Sequence, residues 1–483
     1  MKHFLWGAAS ADFQYEGGLS TGDRGFLTMD YLTDGTNDKS RRITFFNENG
    51  EKKSVGFYES LPRNAKPYFD EKEYYPSHNA TDFNGHWEED IENMKELGLK
   101  AYRFSICWTR IFPNGIETEP NENGLKFYDQ IINHLCEAGI EPVVTICHDE
   151  IPAFLANEYD GWLDRKVIDC YLHLAETLMR RYVGKVKYWI TFNEINAING
   201  YTELGFHEVN LQNRLQAVHH CFVATAKVVA LARKIDSSLK IGTMFSASAV
   251  YPATCRPEDA FYTLQFRQEK LYYYLDVLTG KGYQNYVPDF WKRNNIQIKS
   301  DPEDAVLFKK YPIDYIAISY YRSMTEGPDV ADATKNLVLA GGDNPYLKKT
   351  QWGYPIDPQG LRFVLNELHM HAQKPIIIVE NGLGNLDIAE NDESIHDDYR
   401  IEYLKLHIQE VKKAVEIDCV PCFGYCVWSI TDLASLSTGE MKKRYGLIHV
   451  DLDDKGHGSG KRRKKDSYFW YKKVIESNGE NLD

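Results

Sequence analysis

Val186-Lys187-Tyr188-Trp189-Ile190-Thr191-Phe192-Asn193-Glu194 is an apolar run of strand length that ends abruptly in an amide and a carboxylate. It is rich in β-branched and aromatic residues and shows little polar alternation, as a strand buried on both faces of a parallel sheet should. Seven more runs of this kind recur, at residues 4–9, 101–106, 142–147, 241–245, 315–320, 375–379 and 424–428. Between them lie amphipathic stretches with helical spacing, among them 87–97, 124–138, 165–182 and 397–415. Strand–helix alternation repeated eight times predicts an α/β chain folded as one (β/α)₈ TIM barrel over residues 1–483. A doubly wound open sheet is the alternative, but no glycine-rich phosphate fingerprint follows the first run. Three intervals are long and polar, about 17–75, 246–314 and 322–357. They follow the first, fifth and sixth strands, so they are expected as long loops on the carboxyl-terminal face, where this architecture builds its active site.

The polar residues gather at that face. The first strand leads to Gln14-Tyr15-Glu16, the second carries Arg103, and the third ends in His148-Asp149-Glu150. The fourth ends in Asn193-Glu194, the sixth in Tyr320-Tyr321, the seventh in Glu380-Asn381, and the eighth carries Trp428. Taken singly, Glu194 could cap a helix and Arg103 could be a buried ion-pair partner. Two carboxylates on separate strand ends are another matter, because glycosidic hydrolysis needs one acid for the leaving oxygen and one carboxylate for the anomeric centre. Rigid strand ends can hold such a pair at ~5 Å, the spacing of a retaining mechanism, and environment then splits their protonation. Arg103 by charge and Tyr321 by hydrogen bond are suited to keeping a neighbouring nucleophile anionic.

Composition excludes several other classes. A net charge of −14 disfavours a polyanionic partner, so nucleic acid is not expected. The basic run Lys461-Arg462-Arg463-Lys464-Lys465 reads as a solvated loop before a last helix. No uninterrupted stretch of eighteen apolar residues occurs, and Met1-Lys2-His3 passes directly into the first strand without a leader pattern, so neither a membrane span nor secretion is expected. Nine cysteines, some inside apolar runs, read as reduced thiols of a cytoplasmic protein. Cys419, Cys422 and Cys426 lack a second ligand pair at zinc-like spacing, and His148 is the only histidine at a strand end, so no metal and no cofactor are expected. The 32 tyrosines suit a pocket that grips a molecule with apolar faces and hydroxyl edges, as a sugar has.

The motifs Phe4-Leu5-Trp6-Gly7-Ala8-Ala9 with Gln14 and Glu16, Tyr102-Arg103-Phe104-Ser105-Ile106, Thr191-Phe192-Asn193-Glu194 and Ile378-Val379-Glu380-Asn381-Gly382 together resemble glycoside hydrolase family 1. The likeness runs in order along nearly the whole chain. It implies Glu194 as acid/base and Glu380 as nucleophile, with Gln14, His148, Asn193 and Trp428 on the glycone and Trp352 bordering the aglycone. The chain departs from the family pattern at Asp149, where Trp is usual, at Ile195, where Pro is usual, and at Ser319, where Asn is usual.

After the eighth strand, β-glucosidases of the family carry a Glu-Trp pair whose Glu accepts hydrogen bonds from sugar hydroxyls. The matching positions here are Ser435 and Leu436, followed by Ser437-Thr438-Gly439-Glu440-Met441-Lys442-Lys443-Arg444-Tyr445. This loop resembles the 6-phospho-β-glucosidase branch, in which a Ser, a Lys and a Tyr hold the phosphate. The resemblance implies Ser437 or Ser435, Lys443 and Tyr445 as phosphate ligands, and a small 6-phosphorylated β-glycoside as the partner. The charge change agrees, since a phosphate monoester carries about −1.5 to −2 charges and favours cationic and hydroxyl donors over a carboxylate. An unphosphorylated β-glucosidase or β-galactosidase is the alternative, and a non-catalytic sugar-binding relative is disfavoured because both acids are present.

Overall fold

The computed structural model describes residues 3–330, 341–388, 390 and 394–483. Eight parallel strands close into a barrel: β1 Leu5–Ala9, β2 Ala101–Ser105, β3 Glu141–Cys147, β4 Tyr188–Phe192, β5 Lys240–Ser246, β6 Tyr315–Tyr320, β7 Ile376–Asn381 and β8 Cys422–Trp428. Each strand pairs with its neighbours in chain order, and β8 returns to β1. The helices closing the successive units are α1 Phe83–Leu97, α2 Glu122–Glu137, α3 Lys166–Arg181, α4 Leu211–Ile235, α5 Asp304–Lys310, α6 Pro358–Ala372, α7 Asp398–Glu416 and α8 Asp466–Glu476.

Successive side chains of a strand point to opposite faces, so each barrel strand must satisfy two environments. Ala101, Val143, Ile190, Met244, Tyr315, Ala317, Ile377 and Val379 fill the barrel interior as one cluster. Their neighbours along the strands face outward into the larger core beneath the helices. Both faces being apolar explains why the strands read as unbroken hydrophobic runs. Helix ends are set by local chemistry: Asp82 accepts from the Gly85 amide at the start of α1, and Gly98 ends it at φ +82°. By length and composition α4 could cross a membrane, but 83% of its most apolar window is buried inside the molecule, where it packs on α3.

Two features depart from the sequence reading. The segment 246–314, expected as a loop, carries helices Pro257–Arg267, Tyr273–Leu278 and Val287–Arg293 before α5, and several of their apolar residues join the core. The basic run is not a solvated loop. Residues Arg462–Lys464 form a strand antiparallel to Ile448–Val450; Arg462 meets Asp90 at 3.2 Å, and the fully buried Lys465 bridges Asp387 at 2.5 Å and Asp432 at 2.7 Å. Paired carboxylates are what allow these cations inside. As the sequence reading has it, β7 ends in Glu380 and Asn381, so Glu380 belongs to the barrel itself.

The other long segments decorate the carboxyl-terminal face. Residues 17–75 include a three-stranded antiparallel sheet, and Ser323–Glu326 pairs with Ala249–Pro252 to tie the segments after β6 and β5 together.

Candidate active site

Arg103 of β2 organises the barrel top. It is fully buried and donates in three directions: Nε to Thr145 Oγ1 at 2.8 Å, Nη1 to Glu380 Oε1 at 2.5 Å, and Nη2 to Asn193 Oδ1 at 2.8 Å. Tyr321 donates to the other oxygen of Glu380 at 2.7 Å, and Asn193 passes the chain on to Asp149 Oδ1 at 3.0 Å. A buried carboxylate is tolerated only where charge and hydrogen bonds replace water. Burial pushes the Glu380 carboxyl up, while the Arg103 guanidinium and the Tyr321 hydroxyl pull it back toward the ionised form.

Glu194 stands just past β4 in a different setting. Its φ of +31° is an unfavourable backbone conformation for a residue with a Cβ, held here by neighbours on both sides. Ile195, where a proline would have no hydrogen to give, donates its amide to Met244 O at 3.0 Å and ties the turn to β5. Ser319 Oγ donates to Glu194 Oε1, and Ser319 is also the register partner of Glu380 across β6 and β7. No cation forms an ion pair with Glu194 among the described residues. Burial first, and then repulsion from Glu380, raise its carboxyl to about 8, with the Ser319 hydrogen bond opposing them. Near neutrality Glu194 therefore keeps its proton, whereas Glu380 has a cation beside it.

Both acids line one cavity of about 510 Å³. Toward β8, β1 and β3 its wall is made by Gln14, His148, Trp428, Ser435, Ser437 and Tyr445. Gln14 is oriented by donating to Ala434 O at 2.6 Å. His148 lies edge-on to Phe13, and its pKa is driven well below the usual value by burial and by Arg103, so it is neutral; its Nδ1 has no partner among the described residues. Behind the wall stands Lys443, 2% exposed, with Nζ 3.5 Å from Ser437 Oγ. Its ammonium lies over the rings of Tyr354 at 4.9 Å, Trp352 at 5.5 Å and Tyr445 at 5.5 Å. Ser435 Oγ and Ser437 Oγ are 3.2 Å apart. No carboxylate pairs with Lys443 among the described residues, and burial lowers its pKa.

The sequence profile of glycosyl hydrolase family 1 matches residues 1–480. The chain belongs to that family. An aryl-phospho-β-D-glucosidase, BglA of Bacillus subtilis, is 41% identical over 100% of this chain and 99% of its own length. The 6-phospho-β-glucosidase AscB of Escherichia coli is 38% identical over 100% of this chain and 99% of its own. Among solved structures, a family 1 β-glucosidase from Thermotoga maritima superposes with a TM-score of 0.81 at 29% identity, covering 100% of this chain and 98% of that one.

As a family 1 glycoside hydrolase the chain has its two strand-end acids, Arg103, Asn193, Tyr321, Gln14, His148 and Trp428 gathered as the sequence motifs suggested. Trp352 falls elsewhere. A turn through Gly353, φ +80°, lets Tyr354 line the cavity, while the Trp352 indole donates to Glu440 Oε2 at 3.1 Å and packs on the loop after β8. Sequence reasoning assigned no role to Tyr58, Glu203 and Arg322, which also line the cavity. It noticed Asp149 and Ser319 only as departures; both prove to be hydrogen-bonded into the acid network. Among the described residues no group of three His, Cys, Asp or Glu side chains is gathered as a metal site.

Proposed function

We propose that the chain hydrolyses 6-phospho-β-glucosides with retention of configuration, Glu380 acting as nucleophile and Glu194 as acid and then base. In the first step the Glu380 carboxylate bonds to the anomeric carbon, the glycosidic C–O bond breaks, and the departing oxygen takes the proton of Glu194. The ester that results carries no charge on Glu380. The repulsion that helped to raise the Glu194 pKa is then gone, and Glu194 is free to remain ionised. In the second step Glu194 takes a proton from water, whose oxygen bonds to the anomeric carbon as the ester bond breaks. Two inversions leave the β configuration unchanged.

Ser435, Ser437, Lys443 and Tyr445 are the groups we assign to the 6-phosphate. The observation that carries this assignment is Lys443, a cation 2% exposed and without an ion-pair partner among the described residues, bonded to a serine that faces the cavity. A charge buried without its counter-charge is costly, and a substrate phosphate supplies one. The named activities of the relatives in Bacillus subtilis and Escherichia coli support the same reading. Glucose 6-phosphate is the glycone product, and a doubly charged sugar does not cross a bilayer unaided, so we take the enzyme to act in the cytoplasm, where its nine free cysteines stay reduced. The test is to compare 4-nitrophenyl 6-phospho-β-glucoside with the unphosphorylated glucoside. A preference of at least tenfold for the phosphorylated substrate is expected. Equal rates, or a preference for the plain glucoside, would refute it.

A further inference from the structure

The two serines assigned to the phosphate sit on one short turn after β8. The Gly439 amide donates to Ser435 O at 2.7 Å and the Ser435 amide to Glu440 O at 3.1 Å, which closes the turn on itself. Beyond that closure it is held at two carbonyls. Gln14 donates to Ala434 O, and Arg41, 395 positions earlier in the chain, donates to Leu436 O.

Arg41 belongs to the long segment after β1 and immediately precedes the strand Arg42–Phe46. It is 3% exposed, and its side chain donates to three backbone carbonyls: Nε to Thr33 O at 2.8 Å, Nη2 to Leu32 O at 3.4 Å and Nη1 to Leu436 O at 2.7 Å. Leu436 stands between Ser435 and Ser437, and all three line the cavity. Among the described residues no carboxylate lies within ion-pair distance of Arg41. Burial pulls its pKa down to about 10 against the opposing effect of Asp34, and Asp34 is itself paired with Lys455. The close approach is built into the turn. Gly439 has φ +72°, and a Cβ there would fall 2.9 Å from Asp34 Cα and 3.3 Å from Arg41 Nε, so glycine is what lets the turn rest on this segment.

Two cations are thus buried at one turn without a bonded counter-charge, Lys443 reaching it through Ser437 and Arg41 through Leu436. A staple between two segments needs only neutral donors, and a guanidinium there adds a desolvation cost that an amide would not. A doubly charged group entering beside Ser435 and Ser437 offsets that cost for both cations. We propose that Arg41 is a positioning residue for the 6-phosphate: it fixes the Ser435–Ser437 turn through the Leu436 carbonyl so that both hydroxyls stand with Lys443, and its charge adds to the attraction for the phosphate. This rests on the phosphate assignment above and adds a residue from the opposite end of the chain that shapes the site.

The experiment measures kcat and KM for 4-nitrophenyl 6-phospho-β-glucoside and for the unphosphorylated glucoside in the wild type, Arg41→Met, Arg41→Lys and Gly439→Ala. In Arg41→Met the KM for the phosphorylated substrate should rise about tenfold, as for loss of a charge-assisted contact, while that for the plain glucoside stays within about threefold. Arg41→Lys keeps the charge and a donor and should recover most of that loss. Gly439→Ala keeps Arg41 but pushes the turn off it, and should raise the same KM selectively, so the proposal stays testable if Arg41→Met folds poorly. A readout independent of turnover is the Tm rise given by glucose 6-phosphate, which should shrink in Arg41→Met while that given by glucose does not. Equal loss on both substrates, or an unmoved KM for the phosphorylated one, overturns the proposal and leaves Arg41 a structural staple. Failure of the phosphate assignment looks different: the wild type itself then shows no preference for the phosphorylated substrate and no stabilisation by glucose 6-phosphate beyond that given by glucose.

Discussion

Lys443→Met tests the phosphate reading most directly. Methionine fills much of the same volume among the rings of Tyr354, Trp352 and Tyr445, so the substitution removes the charge and spares the packing. A charge-assisted hydrogen bond is worth about 1.5–3 kcal/mol, and tenfold corresponds to ~1.4 kcal/mol, which gives roughly a 10- to 150-fold loss. At 2% exposure the ammonium is poorly screened by water, which favours the upper half of that range. The assay is the ratio of kcat/KM for 4-nitrophenyl 6-phospho-β-glucoside to that for the unphosphorylated glucoside, and that ratio should fall by this factor. The loss enters KM if the phosphate is gripped equally in ground and transition states, and kcat if the grip also orients the ring. Stability should move the other way. The free variant no longer buries an unpaired cation, so its Tm should equal or exceed that of wild type, while the Tm rise produced by glucose 6-phosphate should shrink. An unchanged ratio together with an intact glucose 6-phosphate response would refute the assignment.

Four further outcomes are expected. Glu380→Gly should abolish turnover while keeping the fold, and azide should restore activity on activated substrates with an α-glycosyl azide as product; a β-azide or wild-type activity would remove Glu380 from the nucleophile's role. Glu194→Gln should slow substrates with poor leaving groups more than those with good ones and let the glycosyl-enzyme accumulate, as rapid-quench mass spectrometry would show; uniform loss without accumulation contradicts the acid/base role. The pH profile of kcat/KM should lose activity as pH rises through about 8, where Glu194 gives up its proton, and again at acid pH, where Glu380 is protonated. Because the folded pKa of Glu194 is raised, its burial costs nothing below the unfolded carboxyl range and costs progressively more up to about pH 8. The Tm of Glu194→Gln should therefore exceed that of wild type at pH 8, with the gap closing toward pH 5; a gap that widens toward acid would reverse the sign of the argument.

The barrel was legible because both faces of its strands are apolar, a pattern that survives without any knowledge of contacts. What was not legible traces to polar residues inside regular structure. The apolar run of β7 ends at Val379, and the pattern alone does not show what makes the charge of Glu380 tolerable at the strand end, which is Arg103, far away in sequence. Lys465 read as solvent-facing for the same reason, its partners Asp387 and Asp432 lying far away in sequence. Trp352 and Tyr354 are two positions apart, and only the turn at Gly353 decides which of them meets the cavity. Glu203 belongs to no motif, so nothing local distinguished it from an ordinary surface acid.

The same long-range dependence explains how two chemically identical side chains come to differ in their hold on a proton. Glu194 and Glu380 are both buried, so desolvation alone would raise both alike. The asymmetry comes from Arg103, whose guanidinium is directed to Glu380 by Thr145 on one side and Asn193 on the other. Among the described residues Glu194 receives neutral hydroxyls, that of Ser319 and more weakly that of Ser246. Asn193 is itself fixed by Asp149, where the family usually has tryptophan, so in this chain a third carboxyl holds the amide that helps aim the arginine. Burial and the charge of Glu380 keep Asp149 near a pKa of about 7, which leaves it partly neutral at working pH and limits the negative charge added beside Glu194. An acid of ordinary strength at this position would deepen the repulsion on Glu194 and lift it further from the neutral range. The departure at Asp149 is therefore compatible with catalysis because burial, and then the charge of Glu380, hold its carboxyl above the usual range.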